Sequence, residues 1–257
     1  MGKIIQCRFS KGVEFFAENF RQKWGLKDYE NTQEPCYFAG MYYDEDLEAL
    51  KNHKGFKVVC FTSADIPQIE KIADMNNIIV RCDEASLIEL KKYAITDFRY
   101  KISHFPIKDY SDFTPEPLGD KIYVYLGYER FKDKYGYHII KRVIDYFGED
   151  SIIMGFQGKD INYVKQNYYR NSFINLQFNP VAGCTSATEM ALMGRKSIAN
   201  RPYSFCINYE TINDVFNAIK HEREKIGTIQ TLKSRFLVDN DDWMNLNYWD
   251  GLESTKI

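Results

Sequence analysis

The residues best suited to chemistry lie between positions 179 and 202, in NPVAGCTSATEMALMGRKSIANRP. Gly183 allows a tight turn and a close approach of a ligand to the backbone. Cys184, Thr185 and Ser186 follow with small side chains, two hydroxyls and backbone N–H groups, and a helix is predicted to start at Ser186 or Ala187. The first-turn N–H groups of a helix have no partners within it, and its dipole is positive at that end. Such a start is an anion cradle of the right size for a diphosphate. Glu189 falls one turn in, within reach of a hydroxylated neutral group such as a ribose. The same residues also suit simple N-capping.

A second set is LGYERFKDKYG, residues 126–136. Gly127 follows an apolar run, and Arg130 and Lys134 come after it, with Lys132 as a substitute. Two cations there would stabilise the charge that grows on a departing diphosphate. Their alternative is a solvated helix start of mixed charge. Three further places could handle an acceptor. Ser10, Lys11 and Gly12 follow the first apolar run, as a ligand-approaching loop or a plain turn. Asp65 could take a proton from an acceptor hydroxyl or cap the next helix. His104 is a second general base to weigh against a packing role. The six cysteines are irregularly spaced with no CxxC, and His53, His138 and His221 lack clustered acids or thiols, so no metal site is expected. Asp44, Glu45 and Asp46 read as a helix start.

These residues need a scaffold. Short apolar runs alternate with helical spacing: KIIQCRF (3–9), FKVVCFT (56–62), IIVRC (78–82), KIYVYL (121–126) and SIIMGF (151–156) are predicted strands. A strand or loop is expected at 36–43, strands at 101–105, 173–177 and 197–200, and helices at 13–24, 44–52, 65–75, 84–93, 137–147, 161–169, 186–193 and 212–224. Helices between buried strands favour parallel sheets. Residues 106–119 hold three of the seven prolines, a linker composition. The expected division is 1–105, linker 106–119, a second domain 120–225 and a tail 226–257. With 44% hydrophobic and 27% charged residues, the composition is that of a soluble globular protein. The net charge of −2 with no basic arm argues against strong nucleic-acid binding. No apolar stretch is long enough for a membrane span. With no recognisable leader, the thiols are read as reduced and the protein as cytoplasmic.

GCTSATEMALMGRKSIA resembles the donor-site signature of GT-B glycosyltransferases, in which a glycine-rich turn meets a helix carrying Glu. Glu189 matches the glutamate that holds the donor ribose in that family. The partner glutamate eight positions earlier in its retaining members falls here on Val181. Gly127, Arg130 and Lys134 resemble the family's phosphate loop, and Pro106 with Phe113, Thr114 and Pro115 its domain crossover. The resemblance covers about residues 78–202. It implies an α/β fold of two Rossmann-like domains (GT-B-like) with a cleft between them, the first on the acceptor side and the second binding the nucleotide sugar. It implies a glycosyltransferase, a hexosyl- or pentosyltransferase, taking a nucleotide-diphosphate sugar as substrate and needing no cofactor. Inverting and retaining courses both stand. The compact size is similar to phage- and virus-type members, acting in the host cytoplasm. That would set a hydroxymethylated DNA base beside a glycan as acceptor, DNA entering only in that role. The competing readings are a non-catalytic nucleotide- or glycan-binding protein, kept open by Val181, and a sugar-nucleotide epimerase-like enzyme. In the family the tail packs back on the first domain, which would make Trp243 and Trp249 packing anchors.

Overall fold

The computed structural model describes residues 2–62, 64–72, 75, 78–94, 98–102, 110–127, 129–156, 158–178, 185–233 and 241–254. They form two compact α/β units, each on its own parallel sheet. The chain passes from one to the other between Tyr110 and Ser111. Residues 111–119, assigned to the linker by their prolines, therefore belong to the second unit.

In the first unit the sheet is built from β1 (Gln6–Phe9), β2 (Lys27–Asp28), β3 (Cys36–Ala39), β4 (Lys57–Cys60), β5 (Ile78–Cys82) and β6 (Arg99–Ile102). The order is β6-β5-β4-β3-β1-β2, all parallel. Every residue of β3, β4 and β5 is buried, as expected for apolar strands covered on both faces. The helices are α1 (Ala17–Trp24), α2 (Asp44–Asn52) and α3 (Glu84–Tyr93). Gly25 ends α1 in the left-handed region at φ 62°. Asp44, Glu45 and Asp46 open α2, and the Asp83 carboxylate caps α3 by accepting from Ser86 N (2.7 Å). The helix predicted from position 13 begins instead as a 3-10 turn, Glu14–Phe16. The one predicted at 65–75 is a 3-10 helix, Ile66–Ile72.

The second sheet holds β7 (Lys121–Tyr125), β8 (Ile152–Gly155), β9 (Ser172–Leu176), β10 (Lys196–Ile198) and β11 (Cys206–Ile207), in the order β11-β10-β9-β7-β8, again parallel. Its helices are α4 (Tyr137–Phe147), α5 (Ile161–Val164), α6 (Thr185–Leu192) and α7 (Ile212–Arg223). A π-helical turn, Lys165–Tyr169, continues α5. One face of the sheet buries Ile122, Val124, Ile174 and Leu176 against Ile140 and Val143 of α4 and Val215 and Ile219 of α7. A reciprocal cap starts α7: Thr211 N donates to Asp214 Oδ2 (2.7 Å) and Asp214 N to Thr211 Oγ1 (3.3 Å).

The C-terminal chain from position 241 is part of the first unit. Trp243 is buried among Phe20, Trp24 and Tyr37, with ring centroids 5.7, 5.2 and 5.0 Å away, and the Arg81 guanidinium lies 4.5 Å over it. Trp249 Nε1 donates to Trp243 O (2.9 Å), and β12 (Glu253–Ser254) pairs antiparallel with β6. Residues 227–229 stay with the second unit, where Gly227 N donates to Leu118 O and Leu118 N to Thr228 O, both at 2.9 Å.

Candidate functional site

In a doubly wound parallel sheet, ligands bind at the carboxyl ends of the strands where the winding direction changes. In the second unit that point lies between β7 and β9, because the chain goes from β7 to β8 on one side and then crosses to β9 and β10 on the other. The segment after β7 holds Gly127 at φ 60°. A Cβ there would lie 2.5 Å from the Tyr135 ring, so the glycine makes room for a side chain of this chain. Arg130 and Lys134 are exposed on the 3-10 helix Glu129–Tyr135. After β9 comes Gln177, whose Oε1 accepts the Ser186 hydroxyl (3.1 Å). That bond holds the N-terminus of α6, Thr185 and Ser186, at the carboxyl end of β9. Gly183 and Cys184 lie outside the described residues.

Glu189 is buried one turn into α6, and its Oε2 accepts the Tyr169 hydroxyl at 2.5 Å. Burial first, and then the Glu189 charge, push the Tyr169 phenol well above the ordinary tyrosine range. In the turn after α6, Gly194 is at φ 92°, and a Cβ there would fall 2.3 Å from Gln230 O. Arg195 follows, fully buried, and donates to the backbone carbonyls of Ser172, Glu116, Pro117 and Met193. No periodicity or motif singles out Tyr169 or Arg195 in the sequence.

In the first unit the corresponding point lies between β1 and β3. Ser10 is buried and donates to Asp46 Oδ2 (2.6 Å), which also accepts from Tyr43 N (3.1 Å), while Arg8 reaches Oδ1 (3.3 Å). Asp46 thus ties the loop after β1 to the start of α2. Lys11 is exposed and pairs with Glu45 (2.9 Å). Gly12 lies against Tyr42, where a Cβ would be 2.9 Å from the ring, and Tyr42 Oη is 2.7 Å from Thr62 Oγ1.

Asp65, expected as a general base or a helix cap, is held by the backbone of two loops. It is 1% exposed, and its two oxygens accept from Met41 N (2.8 Å) and Thr62 N (2.8 Å), with the Thr62 hydroxyl at 3.2 Å. A carboxylate held in this way joins the loops after β3 and β4. His104 lies outside the described residues. Among those described, no group of three or more His, Cys, Asp or Glu is placed to hold a metal ion. No described helix is long and apolar enough to cross a membrane.

No family model and no curated protein matches the sequence. Solved structures do show a likeness. Sucrose-phosphate synthase from Thermosynechococcus elongatus is similar at 13% identity and TM-score 0.48, over 84% of this chain and 72% of that one. TarM is similar at 14% identity and TM-score 0.45, over 77% of this chain and 51% of that one. The chain thus spans about half the length of the TarM chain.

Proposed function

We propose that the protein is a glycosyltransferase that moves a sugar from a nucleotide-diphosphate donor to a hydroxyl acceptor, in the cytoplasm. The observation that carries this reading is the bond from Ser186 to Gln177, which seats the N-terminus of α6 at the carboxyl end of β9, beside the change of winding in the second sheet. Partnerless N–H groups and the positive end of the dipole suit a diphosphate at that point. In this reading Gly183, Cys184, Thr185 and Ser186 cradle the diphosphate, and Gly127 shapes the loop that carries Arg130 and Lys134 as its counter-charges. Glu189 accepts the ribose hydroxyls.

The acceptor oxygen attacks the anomeric carbon, the bond from that carbon to the diphosphate breaks, and the nucleoside diphosphate leaves. A base takes the hydroxyl proton. With Asp65 committed to backbone N–H groups, His104 is the residue proposed for that role. Ser10, Lys11 and Gly12, at the change of winding in the first sheet, are proposed to meet the acceptor, a glycan or, for a phage protein, a hydroxymethylated DNA base.

A thermal-shift screen against UDP, GDP, ADP, TDP and CMP and their sugar conjugates tests the donor site. A ligand that binds only the folded state at 100 times its Kd adds about 2.7 kcal/mol of stability. One nucleoside diphosphate should raise Tm, with the shift lost in Glu189→Ala and reduced in Arg130→Ala. No shift with any of them would sink the reading, and a shift without sugar transfer to any acceptor would make the protein a binding module.

A further inference from the structure

A carboxylate that must accept the two neighbouring hydroxyls of a ribose has to be held in one orientation, because the terminal torsion of a glutamate is broad. The surroundings of Glu189 contain a device for this. Tyr169 is buried and donates to Glu189 Oε2. It sits at the end of the π-helical turn Lys165–Tyr169, where Arg170 N bonds back to Lys165 O (3.1 Å). Such turns are rare and cluster at functional sites. The Tyr169 ring is held edge-on by Tyr123 of β7, with centroids 5.2 Å apart, and Tyr123 is stacked on Tyr168 at 5.9 Å. The Tyr123 hydroxyl lies against Gly155, the last residue of β8, where a Cβ would be 2.3 Å from it. The phenol that meets Glu189 is therefore fixed by two strands and a π turn.

We infer that Tyr169 is a positioning residue that sets the Glu189 carboxylate for ribose and so makes the site select ribonucleotides over 2′-deoxyribonucleotides. The inference rests on the donor-site reading above. The hydrogen bond from the phenol to Oε2 restricts the terminal torsion of the carboxylate. Burial and the adjacent carboxylate both raise the Tyr169 phenol, which keeps it a donor across the working pH range.

The test is calorimetric titration of the full chain with UDP, GDP and ADP and with dUDP, dGDP and dADP, in the wild type, Tyr169→Phe and Glu189→Gln. The wild type should bind one ribonucleotide about 10-fold or more tighter than its deoxy counterpart, the size expected for one charge-assisted hydrogen bond. Tyr169→Phe should bring that ratio to within about 3-fold of unity, as Glu189→Gln does, with the ligand-free Tm kept within a few degrees. Selectivity retained in Tyr169→Phe overturns the inference and leaves the donor site standing. No binding of any nucleotide by the wild type overturns both. Should Tyr169→Phe not fold, Tyr169→Met, which also lacks the hydroxyl, is read in the same way. Loss of fold in both variants assigns Tyr169 to stability alone and overturns the positioning role.

Discussion

Arg195 offers the sharpest test of how the second unit is held together. Its guanidinium is fully buried directly after α6. Nε donates to Ser172 O (3.2 Å), Nη1 to Glu116 O (3.1 Å) and to Met193 O, and Nη2 to Pro117 O (2.6 Å) and Arg170 O (3.5 Å). One side chain thus joins the segment entering the unit, the start of β9 and the end of α6. Burial lowers its pKa to about 10, partly countered by the Glu116 charge, so it remains cationic near neutrality. Arg195→Met keeps most of the apolar stem and removes every donor. Each buried carbonyl left without a partner costs about 1–3 kcal/mol. The bonds to Ser172, Glu116 and Pro117 alone would sum to about 3–9 kcal/mol. Water entering the space, and relief from burying a charge, bring the expected loss to about 3–5 kcal/mol. For a chain of this size that is a fall in Tm of about 10 °C. Calorimetry and urea unfolding would measure it, and Arg195→Lys, with three donors on a flexible stem, should recover part of the loss. Arg195→Met within about 1 kcal/mol of wild type would refute the argument, because an average point substitution already costs about that much.

Trp243→Ala should destabilise the first unit by about 3–5 kcal/mol, since it empties a site lined by Phe20, Trp24, Tyr37 and Arg81; denaturant unfolding followed by tryptophan fluorescence would show it, and a midpoint unchanged from wild type would speak against that packing. His53 predicts a dependence on pH. Burial lowers its pKa below 6.5, with the Phe56 carbonyl opposing, and its ring sits between Tyr29 and Phe38. The unfolded chain therefore takes up the proton first as pH falls. Stability is whole above pH 6.5 and declines below it, through the folded pKa. His53→Gln should flatten that slope between pH 7.5 and 5.5, and an unchanged slope would assign the effect to other groups.

Much of the secondary structure was readable from residue pattern. FKVVCFT and IIVRC are apolar at nearly every position, which only strands covered on both faces require, and β4 and β5 lie in those runs. The spacing of Ile140, Val143 and Ile144 marks α4, and Gly148 its end. The alternation of strands and helices is enough to specify parallel α/β units, because a parallel strand needs a crossover to return. The two-residue strands β2, β11 and β12 escaped, since two residues carry no period. Local pattern does not show what residues 111–119 pack against: their prolines suggest a linker, while Arg195, some 80 positions away in the chain, binds the carbonyls of Glu116 and Pro117.

The site divides along the same line. Gly, Thr, Ser and Glu around a helix start are a local signature, so the start of α6 and the place of Glu189 within it were readable from residue type and spacing. What a side chain faces after folding is not local. Asp65 has the type and position of a base, but its oxygens meet Met41 N and Thr62 N, one of them from a different loop. Gly127 has the form of a phosphate-loop glycine, yet Tyr135 fills the space beside it. The partner of Glu189 is Tyr169, twenty residues earlier and brought in by a π turn. The Tyr169 and Arg195 contacts depend on hydrogen bonds between segments far apart in sequence, and no one-dimensional period encodes such pairings.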